Sequence, residues 1–233
     1  MPMLLPDPRQ VLRIYTLGDS NALGDQGWPV QLRRELQLLL KNRRIELHNE
    51  ASAGRAIGFQ KFGPESNALL VAEGSLKRAF TKAGGPMDEA VICLGTNDAQ
   101  PMWTQQGKTI DEIAQNMRAL VEKIRSFRPR QAPAARVTIA SPPALGSIHD
   151  DGAPPATGVL ADEQAKRRGS RARIEEMIPR LREVAEQTGS RFVDVYGAMF
   201  PQRDRCVGAD GTHLAAAGHA LIGKVVAEAI VSK

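Results

Sequence analysis

The chain has 233 residues, 42% of them hydrophobic, which is enough to bury one substantial core. A net charge of +5 could favour nucleic acid, but acidic residues accompany most basic clusters and aromatic residues make up only 4%, so a nucleic-acid partner is not expected. No segment approaches the length and hydrophobicity of a membrane span, so membrane insertion is not expected either.

Two features of the sequence favour a cytoplasmic protein. Residues 1–8 have neither the basic start nor the apolar run of a signal peptide. The two cysteines, Cys93 and Cys206, fit a reducing compartment, although a disulfide between them stays open at this stage. Because Cys93 ends an apolar run, it is expected to be a buried packing thiol.

Short apolar runs alternate with longer segments of helical periodicity along the whole chain. Strands are predicted near 11–17, 44–48, 90–94, 136–140 and 191–195. Helices are predicted near 28–41, 67–82, 109–127, 165–188 and 214–231. This alternation predicts an α/β fold in one domain, residues 1–233, with a central parallel sheet of about five strands covered on both faces.

Segment 141–164 breaks the alternation. It contains four prolines and several glycines, and we predict a long loop after the fourth strand. Loops of this length in a compact domain tend to be functional, so the segment is expected to be a lid over the site or a subunit contact in a homo-oligomer.

Polar segments lie where the predicted strands end. They are Gly18-Asp19-Ser20 after the first strand, the segment containing Gly54 after the second, Gly95-Thr96-Asn97-Asp98 after the third, and Asp210-Gly211-Thr212-His213 before the last helix. In parallel α/β sheets the ligand crevice lies at the carboxyl ends of the strands. We therefore expect these segments to meet in one site.

Together these residues fit nucleophilic catalysis of acyl transfer. Ser20 needs a base to take its proton, and His213, oriented by Asp210, supplies one. The tetrahedral oxyanion needs donors, which the backbone N–H groups of Ser20 and Gly54 and the side-chain amide of Asn97 can supply. Taken singly, each segment could be an ordinary turn or helix cap. Only the occurrence of all of them at the same edge of the sheet indicates a catalytic site.

In this order the segments resemble the SGNH hydrolases, also called the GDSL-like esterase and lipase family, whose four letters correspond to Ser20, Gly54, Asn97 and His213. The resemblance extends over nearly the whole chain. It implies a three-layer α/β/α, flavodoxin-like sandwich and ester hydrolysis or acyl transfer to alcohols, with a small-molecule ester as substrate and with no metal or other cofactor.

A finer resemblance comes from Ser141-Pro142-Pro143, followed by Leu145 and His149, which is similar to the branch that contains bacterial arylesterases and perhydrolytic acyltransferases. This branch implies short acyl chains. Met102 and Trp103, just beyond the Asn97 loop, could form the wall of an apolar substrate pocket or simply pack in the core. Asn21-Ala22-Leu23 departs from the family, which often has Leu or Ile after the serine.

Other functions remain as alternatives. A degenerate domain could use the crevice only to bind an acylated ligand or a partner. A metal-dependent hydrolase could use Cys206, Asp210, His213 and His219, since these residue types bind zinc. The sequence lacks the Gly-x-Ser-x-Gly elbow of α/β-hydrolases, a phosphate-binding loop and a dinucleotide-binding glycine motif.

Overall fold

The computed structural model of the protein describes residues 11–232, so the N-terminal segment considered for a signal peptide lies outside the described residues. Five strands form one parallel sheet in the order β2-β1-β3-β4-β5. They are β1 (Val11–Gly18), β2 (Arg44–Asn49), β3 (Glu89–Cys93), β4 (Arg136–Ala140) and β5 (Arg191–Val193). All five lie where the sequence predicts strands. The inner strands β1 and β3 are almost entirely buried, as is typical of apolar runs in a parallel sheet covered on both faces, whereas the edge strand β2 is partly exposed.

Helices cover both faces of the sheet. They are α1 (Trp28–Leu39), α2 (Ala68–Ala83), α3 (Pro101–Gln105), α4 (Ile110–Ser126), α5 (Val159–Arg167), α6 (Ser170–Thr188), α7 (Val195–Met199), α8 (Arg203–Cys206) and α9 (Ala216–Val231). Helix α1 packs against α9, while α2, α4 and α6 pack side by side. The fold is therefore the predicted α/β/α sandwich.

The contact between α1 and α9 is close. A Cβ atom on Gly223 of α9 would lie 2.6 Å from the Cβ of Gln31 and 2.7 Å from the backbone nitrogen of Leu32, both in α1. Only a glycine allows the two backbones to approach in this way. Helices α1 and α9, the first and last within residues 11–232, are thereby packed together.

The strand ends that carry the polar segments are in register. Gly18 of β1 pairs with Cys93 of β3, Cys93 with Ala140 of β4, and Ala140 with Val193 of β5. Each of these residues is the last of its strand. The loops that follow therefore leave the sheet along one edge, as expected for a ligand crevice.

The predicted loop 141–164 is wrong at its C-terminal end. Helix α5 begins at Val159, so the loop covers residues 141–158 and contains a short 3₁₀ turn at Ser147–His149. The single helix predicted for 165–188 is also wrong, because Gly169 has a positive φ of 80° and separates α5 from α6. Within residues 11–232 no helix has the length and hydropathy needed to cross a membrane.

Candidate active site

Ser20 opens a one-turn 3₁₀ helix, Ser20–Ala22, directly after β1. The Asp19 carboxylate accepts a hydrogen bond from the Asn21 backbone N–H at 2.9 Å and so fixes this turn. Asp19 is only 3% exposed, and burial raises the pKa of its carboxyl, although the Asn21 N–H and the Arg167 guanidinium oppose the rise. Asp19 thus shapes the turn that presents the Ser20 hydroxyl.

The base lies on the turn before α9. His213 Nε2 is 3.2 Å from Ser20 Oγ, and His213 Nδ1 is 2.6 Å from Asp210 Oδ2. The other oxygen, Asp210 Oδ1, accepts the backbone N–H groups of Thr212 and His213, each at 2.9 Å. The structure therefore brings Ser20 to Asp210 and His213, which follow it by about 190 residues, in one hydrogen-bonded chain.

The charge on Asp210 is stabilised by this arrangement. Burial raises the pKa of the Asp210 carboxyl, but the hydrogen bonds from His213 and from the Thr212 and His213 backbones outweigh it and hold the pKa below its ordinary value. An ionised carboxylate accepts a hydrogen bond from Nδ1–H, which leaves Nε2 free to accept the serine proton.

Asn21 joins the two halves of this site, a function that the sequence analysis did not assign. Its buried side chain accepts the Leu214 backbone N–H at 2.9 Å, next to the base. The family often has Leu or Ile after the serine, and this chain has Asn21 there. A polar residue at a position that the structure buries was the one sign of this role in the sequence. Asn21 thus fixes the turn of Ser20 to the turn of His213.

Asn97 is buried and held on both sides of its amide. Its Nδ2 donates to the Arg55 carbonyl at 3.1 Å, and its Oδ1 accepts from Gln100 Nε2 at 3.2 Å. Since Nδ2 carries two hydrogens, one N–H remains after the bond to Arg55. The same bond connects the Asn97 loop to the loop that contains Gly54.

Asp98 is a further site residue that the sequence analysis read only as a cap. Both of its oxygens accept the Ile57 backbone N–H, at 2.9 and 3.2 Å. The side chain is fully buried, and burial raises the pKa of Asp98 to about 7. A carboxylate accepting an N–H from 41 residues earlier in the chain leaves no local trace in sequence.

Gly54 lies at a position where only glycine fits. Its φ is +69°, and a Cβ atom on it would lie 2.3 Å from Cε2 of Phe62. The Phe62 ring is therefore packed against Gly54, although the side chain is 60% exposed. An exposed aromatic residue beside Gly54 was not singled out from the sequence.

Trp103 lies beneath the Asn97 turn. It is 4% exposed, its Nε1 donates to the Asn97 carbonyl at 2.8 Å, and its ring packs against Phe59 with centroids 5.2 Å apart. Trp103 therefore packs in the core and supports Asn97. Met102 is partly buried against the core, and its place in a pocket wall stays a prediction.

The first half of the loop 141–158 is bonded to the turn of Asp210. The Gly146 N–H donates to the Gly211 carbonyl at 2.9 Å. His149 is 3% exposed, and its Nε2 lies 3.0 Å from the Asp210 carbonyl and 3.2 Å from Thr212 Oγ1. Because a carbonyl can only accept, Nε2 carries the proton. This part of the loop braces the site, so the lid stays a prediction for residues 151–158, most of which are exposed.

The residues considered for an alternative zinc site are not arranged as zinc ligands in the described part of the chain. His213 is hydrogen-bonded to Asp210 through Nδ1 and to Ser20 through Nε2, and Cys206 is a buried free thiol. Among residues 11–232, no group of three or more His, Cys, Asp or Glu side chains has the arrangement needed for a metal ion.

The family model for GDSL-like lipases and acylhydrolases matches residues 16–221, which include every residue of the site. The chain belongs to this family. It is a carboxylic ester hydrolase of the serine type, as the resemblance of its four sequence segments implied. No curated protein matches the sequence.

Solved structures of several esterases have the same fold. An aryl esterase from M. smegmatis is 22% identical, with a TM-score of 0.72, and a carbohydrate acetylesterase from Sinorhizobium meliloti is 18% identical, with a TM-score of 0.70. Each match covers 94% of this chain and 98% of the other. A lipase/acylhydrolase from Enterococcus faecalis is 21% identical, with a TM-score of 0.64, and the match covers 94% and 95% of the two chains.

Proposed function

We propose that this ester hydrolase acts through an acyl-enzyme on Ser20, with His213 as the general base and Asp210 as its orienting carboxylate. The observation that carries the proposal is the continuous hydrogen-bonded chain from Ser20 Oγ through both ring nitrogens of His213 to Asp210 Oδ2. A serine hydroxyl is a weak nucleophile, and such a chain is the arrangement that activates it.

The reaction proceeds in two halves. In the first, Ser20 Oγ attacks the ester carbonyl carbon while its proton moves to His213 Nε2, and the tetrahedral intermediate collapses as His213 returns that proton to the leaving alcohol. In the second, water gives a proton to His213 and attacks the acyl carbon, and the proton returns to Ser20 as the carboxylic acid leaves. Asp210 stays ionised and stabilises the imidazolium in both halves.

The oxyanion is stabilised by three N–H donors in this proposal: the backbone amides of Ser20 and Gly54 and the remaining Nδ2–H of Asn97. Support comes from the way these groups are held. Asn97 is bonded at both ends of its amide, and its bond to the Arg55 carbonyl keeps the Gly54 loop beside it. Donors fixed before the reaction stabilise developing charge without reorganisation.

We further propose that the acyl chain is short and that an alcohol can replace water in the second half-reaction. Support for a short acyl chain comes from the structurally similar carbohydrate acetylesterase, since acetyl is a two-carbon acyl group. A panel of p-nitrophenyl esters of increasing acyl length, with and without a competing alcohol, would measure both properties.

The decisive experiment is Ser20→Ala, assayed with p-nitrophenyl acetate and with a serine-directed fluorophosphonate. We expect loss of turnover and of covalent labelling with an unchanged melting temperature, because Ser20 is only partly buried and alanine, which lacks only the hydroxyl, fits in the strand-end turn. Labelling of the wild-type protein also tests the alternative of a binding-only domain, which would retain Ser20 without reactivity. An active Ser20→Ala variant would overturn the serine mechanism.

A further inference from the structure

The segment that carries Phe62 also presents a cation to the site. The Ser66 hydroxyl accepts the backbone N–H groups of both Lys61 and Phe62 at 3.0 Å, which fixes this short stretch. The Phe62 ring packs against Gly54, and the Lys61 ammonium lies 5.3 Å from the centroid of that ring. The ammonium is therefore about one aromatic ring away from the proposed oxyanion donor.

Lys61 has no carboxylate partner within the part of the chain that the structure describes. No ion pair within 4.0 Å involves its Nζ, and the side chain is partly buried. Burial and the nearby guanidinium of Arg167 lower the pKa of Lys61 to about 8; among the other charged groups facing it, Lys166 lowers the pKa and Glu163 raises it. Glu163 is itself paired with Lys166 at 2.8 Å.

Arg167 provides a second cation beside the Asn97 loop. It lies at the end of α5, is 7% exposed, and donates from Nη1 to the Thr96 carbonyl at 2.8 Å, directly before Asn97. Burial lowers the pKa of the Arg167 guanidinium, although the carboxylates of Asp19, Glu163 and Asp210 oppose that effect. A lysine that stays charged beside a second cation favours an anion nearby, and Glu163, the carboxylate that acts on Lys61, is already paired with Lys166.

We propose that Lys61 and Arg167 form a subsite for an anionic group, a carboxylate or a phosphate, on the alcohol half of the ester substrate. This inference rests on the proposed function, because it places the ester carbonyl between Ser20 and Gly54. A rigid leaving group one aromatic ring long then brings its terminal anion to the Lys61 ammonium. Guanidinium and ammonium groups are suited to both anions.

The test compares 4-acetoxybenzoate with its neutral methyl ester, and 4-acetoxyphenyl phosphate with its neutral dimethyl ester. The variant is Lys61→Met, which keeps the length of the side chain and removes its charge. The measured quantity is the ratio of kcat/KM for the anionic ester to kcat/KM for the neutral ester. The matched control is Lys77→Met, since Lys77 is an exposed lysine of α2 whose partner is Glu73.

We expect Lys61→Met to lower this ratio about 2–5-fold, as for the loss of one partly screened ion pair, and the control to leave it unchanged. The ester pair, carboxylate or phosphate, whose ratio decreases more in Lys61→Met identifies the preferred anion. For the wild type the ratio should fall from about pH 7 to about pH 9, as Lys61 loses its proton with a pKa of about 8. An equal ratio in Lys61→Met and wild type would overturn the subsite. Activity of Ser20→Ala would instead overturn the mechanism, so the two failures are distinguishable.

Discussion

Replacing Asp210 by asparagine should be more damaging than the loss of one charge suggests. In the wild type, Oδ1 accepts the Thr212 and His213 backbone N–H groups, and Oδ2 faces His213 Nδ1 at 2.6 Å. An asparagine has one acceptor, which the two backbone donors will claim. Its NH₂ group must then face Nδ1, so His213 carries its proton on Nε2 and cannot accept the proton of Ser20.

The magnitude follows from this reversed tautomer. In Asp210→Asn, the productive tautomer of His213 would point its Nδ1–H at the N–H of the asparagine side chain, so that two donors face each other. The imidazolium that forms during the reaction would also lose its carboxylate partner. A triad with the wrong tautomer loses about 10⁴-fold in kcat, or about 5.5 kcal/mol. The Asp210 side chain is 31% exposed, so water can relieve part of the conflict. We therefore expect a decrease of about 10²–10⁴-fold in kcat for Asp210→Asn.

The assay is the pre-steady-state release of p-nitrophenolate from p-nitrophenyl acetate near neutral pH, which reports acylation of Ser20 separately from later steps. Asp210→Ala should be no slower than Asp210→Asn, because alanine permits either tautomer of His213. Asp151→Asn, which removes an exposed carboxylate from the neighbouring loop, is the matched control and should acylate normally. Acylation by Asp210→Asn within tenfold of the wild-type rate, or far faster than by Asp210→Ala, would refute the reasoning.

Four other predictions can be tested on the same protein. Asn97→Ala should lower kcat about 10²–10³-fold with a smaller change in KM, and a change confined to KM would make it a ground-state binding residue. Gly54→Ala should lower kcat because its Cβ would clash with Phe62, and adding Phe62→Ala should recover part of the loss; no recovery would place the damage in the backbone instead. The fold raises the pKa of Asp98 to about 7, so the native state binds this proton more tightly than the unfolded chain does. The free energy of unfolding should therefore fall as pH rises from about 4 to about 7. Asp98→Asn should flatten this pH dependence in denaturant titrations, and an unchanged dependence would contradict the prediction. Trimming residues 151–157 should raise relative kcat/KM for bulkier esters with little change in melting temperature, and an unchanged substrate profile would argue against a lid.

The strands and the longer helices could be predicted because their patterns are local. A buried parallel strand is a short apolar run, and an amphipathic helix such as α4 repeats its apolar positions every turn. Helix α5 has no such signal, since Val159 and Leu160 at its start are exposed. The break after it depends on the conformation of one residue, Gly169, and a single glycine within a helical pattern is usually tolerated.

The proposed site residues could be named from sequence because turns at strand ends carry them in a fixed order. Their supports could not, since these are contacts between segments far apart in the chain. The bond from Leu214 to Asn21 and the packing of Phe62 on Gly54 depend on how the loops leave the sheet. A buried carboxyl such as Asp98 is indistinguishable in sequence from a solvated helix cap.

The close packing of α1 and α9 at Gly223 makes activity depend on the presence and docking of α9. The nucleophile lies on the first turn of the described fold and its base directly before α9, so a ribosome must have synthesised the chain from Ser20 to His213 before the two can meet. A nascent chain that ends before His213 would therefore be catalytically silent. Ester turnover consequently reports that α1 and α9 have docked, which makes it a sensitive measure of refolding and of damage to α9.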